Sequence, residues 1–190
     1  AESNMTKYLT QWTMDDVESV GLLKIDFLGI RYLTMVSSIV EQIKKENPEF
    51  DITKINYKDP KVYNLFAEGR TEGIFQFESS GMKEKLRLLK PTEFNDIVAM
   101  NALYRPGPMA QIETYIRRKH GEEKVNYPHP NLEKILKDTY GVIVYQEQIM
   151  LIAVNFAHMS LNEADNMRRA VSKKKKEDLE YYGRIFIEKS

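Results

Sequence analysis

A mostly α-helical fold with a few short β-strands is predicted by three features of this 190-residue sequence. Apolar residues recur at helical spacing, most clearly Leu33, Val36, Ile39, Val40 and Ile43. Helix-start signals stand ahead of other apolar runs, as in Asp59-Pro60 and the capping box Ser160-Leu-Asn-Glu163. Two stretches, Gly21 to Gly29 and Thr71 to Glu78, are instead short, punctuated by glycine, and rich in the branched and aromatic residues of strands.

Taken in order, the first twenty residues are polar, with Trp12 and Met14 as anchors and Met14-Asp15-Asp16-Val17 reading as a short helix start or turn. In the strand expected at 21–29, Leu23, Ile25 and Phe27 share one face and Lys24 and Asp26 the other. An acid and a base side by side on stiff backbone is how a metal or phosphate site is built. A solvated strand face carries the same pair and, on pattern alone, is the commoner reason for it. A helix through Leu33 and Ile43 follows and stops at Asn47-Pro48. Asp59-Pro60 starts a helix through Phe66 that ends at Gly69.

The second strand is expected at 71–78, with Ile74 and Gln76 on one side and Phe75 and Phe77 on the other. Ser79-Ser80-Gly81 opens a helix from Met82 to Leu89, closed by Pro91. Free N–H groups at such a start can receive phosphate, but ordinary capping explains the serines, and no Walker-type loop accompanies them. A helix from Thr92 through Leu103 runs into Tyr104-Arg105-Pro106-Gly107-Pro108, a stiff turn that either aims Arg105 at something or simply leaves it exposed. Met109 to His120 is a further helix closed by Gly121, Leu132 to Leu136 a short one, and Val142 to Tyr145 a strand or buried extended segment. Ile149, Ile152, Ala153 and Phe156 mark a nearly all-apolar helix.

On the last helix, begun by the Ser160 box, Ala164, Met167 and Val171 form the apolar stripe. Arg168 follows Ala164 by four and leans toward that stripe, where a guanidinium is costly without an anionic partner. Arg169 and Lys173 share another face that Lys176 extends. A lysine run of this kind is usually a solvated surface, and the placement of Arg168 is what argues for more.

Composition narrows the classes. Lys+Arg and Asp+Glu both number 28, so net charge is zero and any nucleic-acid surface must be local, as in Arg168 to Lys176. The absence of cysteine excludes disulfide scaffolds and thiolate metal sites and, with no targeting signal, points to the cytoplasm. The sequence opens on Ala1-Glu-Ser-Asn-Met-Thr, with no initiator methionine or signal-peptide pattern, and is expected to be a piece of a longer chain. The apolar run from Ile149 to Ala157 is too short for a membrane span. His120, His129 and His158 lack metal-ligand spacing, the methionines suit helix cores, and no nucleophilic triad or internal repeat is present.

Five motifs occur together and in order: Gly-Leu-Leu-Lys24-Ile-Asp26-Phe-Leu-Gly, Glu72-Gly-Ile-Phe-Gln-Phe-Glu-Ser-Ser-Gly81, Asn101-Ala-Leu-Tyr-Arg-Pro-Gly-Pro108, Tyr145-Gln-Glu-Gln148 and Arg168-Arg-Ala-Val-Ser-Lys-Lys-Lys175. Over nearly its whole length the chain resembles the family C replicative DNA polymerases, the bacterial DNA polymerase III α subunits. The resemblance implies a palm-edge strand leading into a helical fingers domain, with residues 1–47 in the palm and 48–190 in a fingers domain incomplete at its C-terminal end. It makes Asp26 the third of three catalytic aspartates and a ligand of two Mg²⁺ ions, with Lys24 beside the phosphates of the incoming nucleotide. Arg168 and Arg169 match arginines that grip the triphosphate, and Arg105 and Lys173 are further substrate contacts.

Deoxynucleoside triphosphates and primed template DNA are the implied substrates. A sliding clamp and other replisome subunits would bind parts of the parent that this sequence lacks, and no membrane is involved. The family's paired aspartates should precede the Asp26 strand, yet no Asp-x-Asp stands there, and Asp15-Asp16 are adjacent. The fragment alone is therefore expected to be inactive. Two rival readings are a non-catalytic helical module that binds nucleic acid or nucleotide through residues 168–176, and a phosphohydrolase built on Asp26.

Overall fold

The computed structural model describes residues 11–23, 25, 29–173 and 176–190, in two units, Ala1–Thr53 and Lys54–Ser190. In the first, α1 (Met14–Ser19) is begun by Thr13, whose Oγ1 donates to Asp16 Oδ2 at 2.6 Å and accepts from Asp16 N at 3.4 Å. Asp16 is thus part of a helix start. The second helix, α2 (Arg31–Glu46), ends at Asn47 as expected, and its stripe of Leu33, Val36, Ile39 and Ile43 is exposed.

The larger unit is built from α3 (Pro60–Ala67), α4 (Ser80–Leu89), α5 (Phe94–Leu103), α6 (Ile112–Lys119), α7 (Glu133–Leu136), α8 (Gln146–Phe156), α9 (Leu161–Lys173) and α10 (Lys176–Lys189). Local chemistry sets the boundaries. Asp59 Oδ1 accepts from Lys61 N at 2.9 Å ahead of Pro60, and Gly69 supplies the left-handed residue (φ +67°) after α3. Ser79 Oγ accepts from Met82 N, so the serine at the α4 start works as a cap. A helix after the lysine run, α10, is an element that the spacing of apolar residues did not announce.

Two apolar clusters hold this unit together. One joins α3 to α6, with Phe66, Phe77, Met82, Leu86, Met100 and Tyr115 packed inside. The other joins α8, α9 and α10 around Ala153, Ala157, Met159 and Ala164, with Phe156 stacked on Phe186 at 6.0 Å. Alanines at the centre let helix backbones approach closely. Val171, expected in the buried stripe of α9, is exposed, and Ala170 is buried in its stead.

Among the described residues there is no β-strand, which corrects the strand expected at 71–78 and leaves 142–145 with the extended-segment alternative. Residues 71–78 form successive turns: Gly73 and Gln76 have positive φ (+76° and +68°), Phe77 N donates to Ile74 O, and the buried Thr71 hydroxyl donates to Phe77 O at 2.5 Å. Left-handed residues break the pleat, so Phe77 turns inward while Phe75 stays exposed. At 142–145 the N–H groups of Val144 and Tyr145 go to the side chain of Gln148, at 2.8 and 2.9 Å, rather than to a neighbouring strand. The strand expected at 21–29 falls partly on Lys24, Asp26, Phe27 and Leu28, which lie outside the described residues; Leu22, Leu23, Ile25 and Gly29 carry no strand. No described helix is long and apolar enough to cross a membrane.

Candidate functional site

The start of α9 is fixed at both ends of its first turn. Ser160 N and Oγ donate to Glu163 Oε2 at 2.8 Å each, and Glu163 N donates back to Ser160 Oγ at 3.3 Å. The other oxygen, Oε1, takes Lys189 Nζ at 2.8 Å, tying α9 to the end of α10. These bonds, led by that with Lys189, hold the Glu163 carboxyl down at about 2.

One turn further along, a single carboxylate gathers the two arginines. Asp165 Oδ1 accepts from Arg168 Nε at 2.9 Å and lies 2.8 Å from its Nη2 as an ion pair, while Oδ2 accepts from Arg169 Nε at 2.8 Å. Residues three and four apart on a helix are neighbours, which makes the arrangement a local one. Arg168 Nη1 also donates to Gln146 Oε1 at 2.9 Å, across from the first turn of α8. The Arg168 side chain is 23% exposed and that of Arg169 62%. Hydrogen bonding from Arg168, with the charges of both guanidinium groups, holds the Asp165 carboxyl below its ordinary value. The anionic partner that Arg168 demands is therefore present in the chain.

Gln146 is placed by the same motif that buries Gln148. Besides accepting from Val144 and Tyr145, Gln148 donates through Nε2 to Thr139 Oγ1 at 2.8 Å and to Ile135 O at 3.3 Å. The start of α8 is thus clamped to the turn after α7, and Gln146 stands on a rigid base.

Of the residues singled out in the sequence, the structure brings Arg168 and Arg169 together. Arg105 lies apart from them in the bond network: its N–H donates to Leu103 O at 2.7 Å, its carbonyl accepts from Met109 N, and its exposed guanidinium has no hydrogen bond among the described residues. Lys24 and Asp26 lie outside the described residues, as does the side chain of Lys173. No group of three or more potential metal ligands occurs among the described residues, and one aspartate falls far short of the oxygen shell that a hard cation requires. Asp165 and Gln146 were not read from the sequence as site residues. An acid three and four residues ahead of two arginines was the available signal for the first; nothing local marks the second.

A family model described as the bacterial DNA polymerase III alpha subunit finger domain matches residues 32–190. Among curated proteins, the DNA polymerase III subunit alpha of Bacillus subtilis (strain 168) is 57% identical over 182 residues, covering 95% of this chain and 16% of the relative. That of Staphylococcus aureus (strain COL) is 55% identical over 184 residues, 96% of this chain and 17% of the relative. The chain thus spans about a sixth of the length of these relatives. With the match running through the turns at 72–81 and 101–108 and on through α9, the chain belongs to the bacterial DNA polymerase III α subunit family and carries its finger domain.

Proposed function

We propose that this chain is the fingers, with an adjoining piece of palm, of a DNA-directed DNA polymerase that extends a primer 3′ end during bacterial DNA replication. Residues 1–47 belong to the palm in this reading and 48–190 to the fingers. Arg168 and Arg169 receive the triphosphate of the incoming deoxynucleotide, because planar guanidinium forks pair with phosphate oxygens and are always charged. The observation that carries the reading is their side-by-side anchorage on Asp165, which holds two cations together at one carboxylate.

In the reaction proposed, the primer 3′ oxygen attacks the α-phosphorus, its proton departs, and the bond to the bridging oxygen of pyrophosphate breaks. The arginines offset charge on the leaving group. Asp26 would be one ligand for Mg²⁺, with the remaining aspartates in other parts of the parent polypeptide, and Lys24 would lie near the phosphates. Bound there, two such ions would align the attacking hydroxyl and neutralise the phosphates. Arg105 and Lys173 are additional substrate contacts. Template pairing selects the nucleotide, so these side chains contact phosphate rather than base edges.

The test uses the full-length polypeptide. Arg168→Ala and Arg169→Ala should each raise KM for deoxynucleotide while primed-DNA binding stays intact, and Asp26→Asn should abolish addition. Unchanged nucleotide kinetics in both arginine variants would return α9 to a solvated surface, leaving a binding module without chemistry. The isolated chain with Mg²⁺ should incorporate nothing.

A further inference from the structure

We propose that Asp165 is a positioning residue for the incoming triphosphate: it grips the inner edges of Arg168 and Arg169 so that their outer edges face the phosphates. The inference rests on the reading of those arginines given above and gives the carboxylate that anchors them a role of its own in substrate binding.

The argument is geometric. A guanidinium has an edge carrying Nε–H and one Nη–H, and a distal edge carrying one N–H from each Nη. Asp165 takes the Nε edge of Arg168, with a hydrogen bond from Nε and an ion-pair contact to Nη2 at 2.8 Å, and accepts the Nε–H of Arg169. Arg168 is also held from a second helix, Nη1 donating to Gln146 Oε1. The terminal nitrogens of Arg169, on a side chain 62% exposed, make no hydrogen bond among the described residues. Each held edge removes rotation about the last side-chain torsions, and the distal fork of Arg169 stays available to a bidentate acceptor.

A carboxylate beside a phosphate site has two possible effects, of opposite sign. As a competitor it would occupy the cations and weaken substrate binding. As an orienting group it would lower the ordering that binding requires, since two long side chains are then already held in one geometry. The Nε-side attachment favours orientation, because the edge Asp165 uses is not the edge a bidentate phosphate would take from Arg169. At metal sites, partners that orient a ligating side chain commonly cost tenfold or more when removed, and the same scale is expected for a carboxylate that orients guanidinium groups.

In the full-length polypeptide, Asp165→Asn keeps the shape but leaves one accepting oxygen for two arginines. KM for deoxynucleotide should rise about tenfold, with kcat and affinity for primed DNA within about twofold of the parent. Asp165→Glu, which retains both oxygens, should restore most of the loss. A nucleotide KM that is unchanged or lowered in Asp165→Asn overturns the proposal, the lowered value marking the carboxylate as a competitor. Arg168→Ala and Arg169→Ala run alongside. If these raise KM and Asp165→Asn does not, only the present inference falls; if they too leave it unchanged, the triphosphate reading falls and takes this one with it. Should Asp165→Asn lose its thermal transition, Gln146→Ala at the exposed start of α8 decides instead: a rise of severalfold in nucleotide KM supports the oriented fork, and no rise overturns it.

Discussion

Tyr104 closes its hydroxyl over the backbone of Gly81, leaving no room there for a methyl group. Two of the sequence motifs meet at this point, and Asn101 Nδ2 donates to Gln76 Oε1 at 3.0 Å beside it. A Cβ at position 81 would overlap the hydroxyl oxygen but reach only ordinary contact, 3.4 Å, with the ring carbon behind it. Gly81→Ala should therefore lower stability by about 1–3 kcal/mol, as overpacking does. Tyr104→Phe in the same chain should recover most of that loss. A double-mutant cycle by urea denaturation measures the coupling, and strictly additive single effects would place the strain elsewhere.

Asp96 is fully buried, and Lys119, with a side chain 8% exposed, reaches its Oδ2 at 2.9 Å. The same oxygen accepts from Thr92 N and Glu93 N, so it begins α5 and pairs with α6 at once. Its charge adds to burial in pushing the Tyr140 phenol up to about 12. Lys119→Met leaves this carboxylate without its cation and should destabilise by about 3–5 kcal/mol. Removing the charge as well, in Asp96→Asn with Lys119→Met, should return part of the loss, because the remaining amide oxygen still caps the helix. Thermal unfolding of the two variants compares them directly, and a double variant less stable than Lys119→Met contradicts the account.

What the sequence discloses depends on how far apart the partners are. Asp59, Pro60 and Gly69, or Ser160 and Glu163, fix helix ends through contacts within a turn, and all were readable. Residues 71–78 were misread because alternation cannot reveal that Gly73 and Gln76 have positive φ or that the Thr71 hydroxyl closes on Phe77 O. Val171 and Ala170 are adjacent, and helical spacing alone does not decide which of the two is covered. The α10 helix itself holds Gly183 and many charges, which blur its apolar period. In the candidate site the arginines were legible by motif, whereas Gln146 is 22 residues away and is brought to Arg168 by tertiary packing alone.

Gln148 makes the case that a side chain can take the place of a strand. Gln148→Leu keeps the volume, but it strands the N–H groups of Val144 and Tyr145 and removes a donor from the buried Thr139 hydroxyl. A loss of about 2–3 kcal/mol is expected from unpaired buried groups. Amide exchange at 144 and 145 should accelerate well before the rest of the unit opens. Gln148→Glu, retaining the accepting oxygen, should protect those two amides while still losing the bond to Thr139. Equal exchange in both variants would mean the N–H groups find other partners.

Acid should release the start of α9 in a defined window. The Glu163 carboxyl, at about 2 in the folded chain against an ordinary 4.5, binds its proton more weakly when folded than when unfolded. Its contribution to stability is therefore complete above pH 4.5 and is lost as pH falls from there through about 2. The Lys189 ammonium is the leading cause, so Lys189→Met should move the Glu163 titration back toward its ordinary value and shrink that window. Salt should weaken the Lys189 contribution, because both partners meet solvent, and leave the shorter-range bonds to Ser160 in place. Following the Glu163 carboxyl carbon by NMR from pH 6 to pH 2 (about that span brackets both ends) reads the effect at the residue itself. An unshifted titration in Lys189→Met would mean that Ser160 alone holds the carboxylate and that α9 and α10 are joined only by their apolar faces.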